Sequence, residues 1–239
     1  MLPVGLIGVA PGRAAALRAA GLDTLAGDAA LAGRCRAVVV AGPEAERAAR
    51  IREVIARGAH VFSAWPPAAD AAGARALATV AEEAGVEVGV ARPLAIGGVL
   101  ARRPQGWRAR IVSLSLAEAP ARALPGAVDL CAALVGSRAL AGLDAEAVGW
   151  PSAAALALRF RSGALATVAL RAGPPALALS AVGPLGTVEA DALDADGAPD
   201  PALAFVAAVD ARRRPPASLH DAVGTLRIAE RVLDRLGGC

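Results

Sequence analysis

Short apolar runs alternate with amphipathic stretches through the first ninety residues, and this alternation constrains the fold more than any other feature of the sequence. The apolar runs predict strands at residues 4–9, 37–41, 59–63 and 86–90. The amphipathic stretches predict helices at residues 11–20, 43–57 and 68–84, each followed directly by a glycine. Strands that are apolar along their whole length are typical of a parallel sheet that helices cover on both faces.

A different pattern begins near Arg92 and Pro93, where we place a domain boundary. Strands are predicted at residues 108–117, 153–160, 164–170, 176–182 and 187–190, and helices at residues 124–135, 201–212 and 219–236. A Ser162-Gly163 turn suits a hairpin, because glycine adopts positive φ without strain. The sequence therefore predicts an α/β domain with a shortened parallel sheet over residues 1–92. An α+β domain with a mainly antiparallel sheet is predicted over residues 93–239.

The distribution of charge predicts neither a nucleic-acid-binding protein nor a membrane protein. The net charge is only +3, and acidic and basic residues are interspersed. The densest basic cluster, residues 212–214, precedes two prolines and lacks aromatic neighbours that would stack on bases, so a solvated helix end is expected. No apolar run reaches the roughly 20 residues that span a bilayer, and the first residues carry no charged leader segment.

The three cysteines, Cys35, Cys131 and Cys239, lie far apart and form no Cys-x-x-Cys motif. An odd number of scattered cysteines indicates free thiols rather than disulfides or a zinc site. We therefore expect a cytoplasmic protein without a bound metal.

The chain contains no lysine, since all 25 residues counted as lysine or arginine are arginine. Tyrosine and asparagine are absent as well. Arginine keeps its proton at any working pH, so it cannot replace lysine as a general acid or base. Any reaction that depends on a lysine proton is therefore closed to this chain.

Three segments resemble motifs of a known family. Residues 38–43 read VVVAGP, residues 58–66 read GAHVFSAWP, and residues 124–136 read LPGAVDLCAALVG. The turns at residues 162–164 and 183–187 and the helix start at residues 218–221 also match in position. With the order of elements along nearly the whole chain, these segments resemble the Gfo/Idh/MocA family (glucose-fructose oxidoreductase / inositol dehydrogenase), of which this chain would be a shortened and divergent member.

The resemblance implies a Rossmann domain followed by an α+β domain that serves oligomerisation and substrate binding. It also implies NAD or NADP as the cofactor, with Gly42, Pro43, Trp65 and Pro66 beside it. In this family, hydride transfer is coupled to a proton relay through a lysine and a histidine.

The departures from the family's motifs concern the proton relay. The family's Glu-Lys-Pro is Ala64-Trp65-Pro66 here, and the histidine position of the later helix is Gly126. Asp129 keeps the motif's aspartate, is expected to face the active-site cleft, and is the remaining candidate catalytic residue. Positioned acid–base groups contribute about 10²–10⁴-fold to a rate. Trp65 is expected either to fill the vacant nicotinamide pocket or to stack on a ligand.

The phosphate-binding loop also departs from the dinucleotide pattern. In a Gly-x-Gly-x-x-Gly loop the glycines let the backbone approach the diphosphate at a helix N-terminus. Here Gly8 is kept, Ala10 replaces the second glycine, and Gly12 and Arg13 stand where the third is displaced. These four residues are candidate cofactor contacts, although Pro11 removes one N–H group.

The second half of a dinucleotide pocket is not recognisable in the sequence. Residues 21–25 show no clear strand that ends in an acidic residue, so one helix–strand unit is expected to be missing. Either the first strand or the first helix with the second strand has been lost, and both alternatives weaken NAD(P) binding.

Three functions follow as hypotheses. We expect a non-catalytic homologue that acts as a structural or regulatory partner, as a homo-oligomer through the sheet of residues 93–239 or beside an intact paralogue. The first alternative is an NAD(P)-dependent oxidoreductase on a sugar or polyol, with a proton relay through Asp129 and water. The second alternative is a sensor of a small ligand such as a sugar phosphate.

Overall fold

The computed structural model describes residues 3–92, 94, 97–191 and 200–237. The chain divides into two compact units. The first unit contains Met1–Ala91 with Pro199–Val223, and the second contains Arg92–Ala198 with Gly224–Cys239. Residues 200–223 therefore lie with the N-terminal sheet, whereas the sequence placed them in the second domain. Of the predicted boundary pair, Pro93 lies outside the described residues, as does Cys239.

The first unit is built on a five-stranded parallel sheet in the order β2-β1-β3-β4-β5. Its N-terminal elements are β1 (Val4–Ile7), α1 (Pro11–Ala19), β2 (Thr24–Ala26), a 3₁₀ helix (Ala29–Arg34), β3 (Ala37–Val40), α2 (Glu44–Ile55), β4 (His60–Ser63), α3 (Ala71–Ala84) and β5 (Val88–Val90). The sequence predicted four of these strands and missed β2. Three residues at a sheet edge, only partly buried, leave no recognisable periodicity.

The second unit is built on a six-stranded sheet in the order β11-β10-β6-β9-β8-β7. The remaining elements are α4 (Gly97–Ala101), β6 (Ile111–Ala117), α5 (Pro120–Val135), β7 (Leu140–Val148), β8 (Ala153–Phe160), β9 (Leu165–Arg171), β10 (Ala176–Gly183), β11 (Gly186–Ala190), α6 (Pro201–Asp210) and α7 (Leu219–Gly237). Only the β6–β9 pair is parallel. The predicted fold class is confirmed, although β7 and α4 were not predicted.

Packing explains why α6 belongs to the first unit. Phe205 of α6 is buried, and its ring centroid lies 5.6 Å from that of Phe62 on β4. A Cβ atom on Gly89 of β5 would lie 2.4 Å from Phe205 Cδ2, so the helix fills the space that glycine leaves. The backbone N–H of Val90 also donates to Ala217 O at 3.0 Å, a distance typical of a sheet hydrogen bond.

The two histidines have structural partners. His60 Nδ1 accepts a hydrogen bond from the backbone N–H of Glu87 at 2.9 Å, as expected for a histidine inside an apolar strand. His220 Nε2 lies 2.8 Å from Glu82 Oε1. Ser218 and Asp221 cap the start of α7 reciprocally, because each side chain accepts from the other's backbone N–H.

Within the described residues, no helix has both the length and the apolar character needed to cross a membrane. The core of the second unit instead lies between its sheet and helices α5 and α7. Cys131, in the middle of α5, is completely buried in that core. Burial raises the pKa of its thiol from 9.0 to about 12, and the charge of Asp129 adds to the effect.

We expect the stability of the protein at alkaline pH to depend mainly on the ionisation of the buried Cys131 thiol. The folded state keeps the Cys131 proton while the unfolded state loses it above its ordinary pKa of 9.0, so stability falls as pH rises from about 9 towards 12. The expected slope is about 1.4 kcal/mol per pH unit for this thiol. Lysine and tyrosine, which normally titrate in this window, are absent. Urea unfolding between about pH 8 and about pH 10.5 measures the slope.

Two cysteine variants separate the contributions to that slope. Burial also raises the pKa of Cys35, so Cys131→Ala should reduce the slope and Cys35→Ala should reduce it further. An unchanged slope in Cys131→Ala would show that the thiol is not the titrating group.

Candidate functional site

The carboxyl edge of the parallel sheet offers the ligand-binding position typical of this architecture. From β1 the chain crosses to β2 on one side and then to β3 on the other, so the strand order reverses between β1 and β3. Ligands of open α/β sheets bind in the crevice at such a point, beyond the carboxyl ends of the strands. Gly8 follows β1 and Gly42 follows β3, so both lie at this edge.

Gly8 and Gly42 lie close to one another and could not be replaced without strain. Their φ angles are 65° and 88°, in the left-handed region that favours glycine. A Cβ atom on Gly8 would lie 2.9 Å from Ala41 O, and one on Gly42 would lie 3.7 Å from Gly8 Cα. The pair therefore places two residues without side chains at the reversal point, which favours the close approach of a ligand to the backbone.

The start of α1 supplies less than the sequence predicted. Ala10 is the N-cap residue in an extended conformation, without a side-chain cap, and Pro11 opens the helix without an N–H. A Cβ atom on Gly12 would meet nothing within 4 Å, so this position does not require glycine in the structure. Arg13 Nη2 lies 3.1 Å from Asp200 Oδ1, which directs its guanidinium to the N-cap of α6.

A buried arginine that the sequence analysis missed fixes two loops of this edge. Arg47 on α2 is only 7% exposed. Its Nη2 donates to Gly42 O at 2.7 Å, and its Nη1 donates to Pro66 O. Burial lowers the pKa of the guanidinium below its usual value. The helical spacing of Arg47 could have predicted its burial, because Arg47 lies on the same face of α2 as Ile51, Val54 and Ile55.

The other residues predicted to contact a cofactor lie in the two loops that Arg47 fixes. Pro43 is the exposed N-cap residue of α2. Trp65 and Pro66 follow β4 and are partly buried. These positions do not decide between the two roles expected for Trp65, so filling of the pocket and stacking on a ligand both stay predictions.

Asp28 is a candidate for the acidic residue that the sequence analysis did not find. It follows β2, the neighbour of β1, and stands twenty positions after Gly8. In dinucleotide sites, an acid about 20 residues beyond the first glycine binds the ribose hydroxyls. Asp28 is exposed and also accepts a hydrogen bond from Ala30 N at 2.8 Å, which caps the 3₁₀ helix.

These residues fit a dinucleotide in part. The glycine pair allows backbone approach, and Asp28 offers a carboxylate beside the strand next to β1. The N–H lost at Pro11 weakens the usual diphosphate cradle, and Arg13 is paired elsewhere. No group of three potential metal ligands occurs among the described residues.

The second unit contains a buried charge cluster centred on Asp129, which is 4% exposed. Its Oδ2 lies 2.6 Å from Arg92 Nη1, and its Oδ1 lies 2.7 Å from Arg138 Nη2. Thr225 Oγ1 donates to Oδ1 at 3.2 Å and accepts from Arg138 Nε at 3.3 Å. Both carboxylate oxygens therefore have partners, which favours a positioning role. The catalytic role proposed for Asp129 stays a prediction.

The position at which the sequence resemblance implies a histidine is closed by another side chain. A Cβ atom on Gly126 would lie 2.2 Å from Leu94 Cγ. No larger residue fits there unless Leu94 moves. A histidine at this position would therefore require a second change at Leu94, since that side chain occupies the space.

Removal of the charge on Asp129 should destabilise the second unit. Asp129→Asn keeps the side-chain volume but leaves Arg92 and Arg138 without their carboxylate, and breaking a buried pair costs about 3–5 kcal/mol. Urea unfolding measures the loss. Asp144→Asn is the control, because Asp144 is 73% exposed, 3.9 Å from Arg235, and should cost less than about 1 kcal/mol. Equal effects of the two variants would contradict a structural role for the cluster.

Comparisons with known proteins identify the fold. No protein-family profile and no curated protein sequence match the chain. Among solved structures, UDP-N-acetylglucosamine 3-dehydrogenase GnnA from Acidithiobacillus ferrooxidans is similar with a TM-score of 0.75 and 17% identity, over 99% of this chain and 98% of that one.

Two further solved structures agree with that result. A probable dehydrogenase from Thermotoga maritima has a TM-score of 0.75 and 14% identity over 99% of this chain and 97% of that chain. The WlbA dehydrogenase from Bordetella pertussis, in complex with NADH and UDP-GlcNAcA, has a TM-score of 0.73 and 17% identity over 98% of this chain and 96% of that chain. The protein therefore has the fold of these dehydrogenases.

Proposed function

We propose that the protein is an oxidoreductase of the Gfo/Idh/MocA type that binds NAD or NADP and acts on a sugar or polyol. The observation that carries the proposal is the proximity of Gly8 and Gly42, both with positive φ, at the reversal point of the parallel sheet. The shared fold supports it, since similar structures include a dehydrogenase crystallised with NADH and a nucleotide sugar. The cofactor supplies hydride transfer when bound.

Asp28 favours NAD over NADP in this proposal. A carboxylate accepts hydrogen bonds from the two ribose hydroxyls, whereas it repels the 2′-phosphate that distinguishes NADP. No arginine stands within two positions of Asp28 in the sequence to neutralise that repulsion.

The chain's own residues bind and orient better than they move protons. Arg47 holds the loops at Gly42 and Pro66, which fixes the edge where the cofactor would lie. Trp65 has no transferable proton of suitable acidity, and Asp129 has two guanidinium partners. The proposed reaction would therefore run without a well-placed general base, about 10²–10⁴-fold below a complete site.

A non-catalytic structural or regulatory partner is the second candidate function. Trp65 at the lysine position and the Leu94-filled space at Gly126 favour it. In this case the protein would act through assembly, as a homo-oligomer or beside an intact relative.

The open face of the second unit's sheet supports self-association. One row of cross-strand neighbours spans all six strands and consists of acidic ends with small or hydroxyl residues between them: Asp144, Ala157, Thr167, Ser113, Ser180 and Glu189. Ile111, Leu165 and Val182 are also neighbours across strands, and they are 55%, 49% and 43% exposed. Adjacent apolar side chains in water favour burial against a second surface.

Cofactor binding tests the first proposal. NADH should bind and raise the melting temperature, because a ligand at a hundredfold excess over Kd stabilises by about 2.7 kcal/mol. Isothermal titration should show weaker binding of NADPH. Absence of binding by either nucleotide at millimolar concentration would overturn the oxidoreductase proposal. Binding without turnover of any sugar or polyol would favour the sensor or the non-catalytic partner.

Asp28→Asn is the matched variant for cofactor choice. Asparagine keeps an oxygen that can accept from Ala30 N, so the 3₁₀ helix remains capped while the charge is lost. The preference for NADH over NADPH should shrink in this variant. An unchanged preference would exclude Asp28 from the ribose site without excluding cofactor binding itself.

A charge placed on the open sheet face tests self-association. Thr167→Arg, in the centre of the row on β9, would bring like charges together across a two-fold interface. Light scattering should show a dimer or larger assembly for the unmodified chain and a monomer for the variant. Ala45→Arg on the exposed side of α2 is the control and should not change the mass. A monomeric unmodified chain would refute self-association.

A further inference from the structure

The guanidinium of Arg50 lies directly beside the glycine pair. A Cβ atom on Gly8 would lie 3.1 Å from Arg50 Nη1, and a Cβ atom on Gly42 would lie 2.9 Å from the same nitrogen. Arg50 belongs to α2, and its side chain extends from that helix across the carboxyl ends of β1 and β3. A ligand that approaches the two glycines from this edge therefore meets a cation.

Arg50 is held in place and keeps a free donor. Its Nη2 pairs with Glu46, one helical turn earlier on α2, and its side chain is 32% exposed. Within the described part of the chain, Nη1 has no hydrogen-bond partner. The Glu46 pair limits the orientations of the guanidinium, so Nη1 remains directed at the glycines.

The two other arginines near this edge are engaged by other groups. Arg13 pairs with Asp200, and Arg47 is buried with both Nη atoms donated to backbone carbonyls. Arg50 differs from both in position, because its Nη1 lies beside the glycine pair, whereas Arg13 is paired with Asp200 and Arg47 is buried.

We propose that Arg50 is the phosphate ligand of this site and that the ligand is a nucleotide with a diphosphate group. A guanidinium binds phosphate oxygens through paired, charge-assisted hydrogen bonds. It replaces the backbone donor that Pro11 removes from the start of α1. The inference deepens the proposed NAD(P) site, since it transfers diphosphate recognition from the glycine loop to a side chain of α2.

Titration of the intact protein with ADP, adenosine and NADH tests the proposal. Arg50→Gln should weaken ADP and NADH about 10- to 100-fold, the loss expected for hydrogen bonds to a charged group. Adenosine, which carries no phosphate, should bind both proteins equally. Arg50→Lys should recover part of the affinity, because it restores the charge without the paired donors.

Arg52→Gln is the matched control. Arg52 lies two residues further along α2, is exposed, and points to another side of the helix. It should leave all three affinities unchanged. An equal loss in Arg50→Gln and Arg52→Gln would reduce the effect to general electrostatics and overturn the assignment.

The outcomes separate this inference from the proposed function. If NADH binds and Arg50→Gln leaves its affinity unchanged, the assignment of Arg50 is wrong and the cofactor site stands. If NADH does not bind but ADP binds in an Arg50-dependent manner, the oxidoreductase proposal fails and the diphosphate site stands. If neither nucleotide binds to the unmodified protein, both proposals are overturned.

Discussion

The second unit depends on one buried carboxylate. Asp129 binds Arg92, the first residue of that unit, and Thr225, the second residue after the chain re-enters it on α7. It also binds Arg138, whose side chain packs so closely on α7 that a Cβ atom on Gly224 would lie 2.5 Å from its Cδ. Three segments distant in sequence are thus fixed at one point. A buried carboxylate between two guanidiniums is stable only while all partners remain, so these residues are interdependent.

The first unit uses a buried charge in the same way, with opposite sign. Arg47 donates to the carbonyls of Gly42 and Pro66, which end the loops after β3 and β4. Backbone carbonyls at the ends of parallel strands have no partner in the sheet, and a buried guanidinium satisfies two of them. The charge therefore orders the edge at which ligands of such sheets bind. In both units a buried charged residue therefore holds distant segments of the chain together.

Local patterns in the sequence sufficed for the elements but not for these contacts. The apolar runs located β1, β3, β4 and β5, because strands buried on both faces leave an unbroken apolar signal. Strand β2 is too short for any period, and β7, with the sequence LAGLDAEAV, alternates too weakly. Asp28 was missed together with β2, because an acidic residue can be assigned to the end of a strand only when the strand itself has been recognised. The partners of Arg47, Arg50 and Asp129 arise from tertiary packing, on which sequence spacing carries little information.

The absence of lysine has different consequences for binding and for proton transfer. Arginine is the better ligand for carboxylates and phosphates, because its planar donors pair with two oxygens at once. The structure shows arginine bound to carboxylates at Asp129, Asp200 and Glu46. Proton transfer needs a group that exchanges its proton near neutral pH, which arginine cannot do. A chain without lysine can therefore recognise anions through arginine, but it has no lysine to act as a general acid or base. At the proposed nucleotide site, binding and turnover are for this reason separable, and affinity for a nucleotide would be no measure of a catalytic rate.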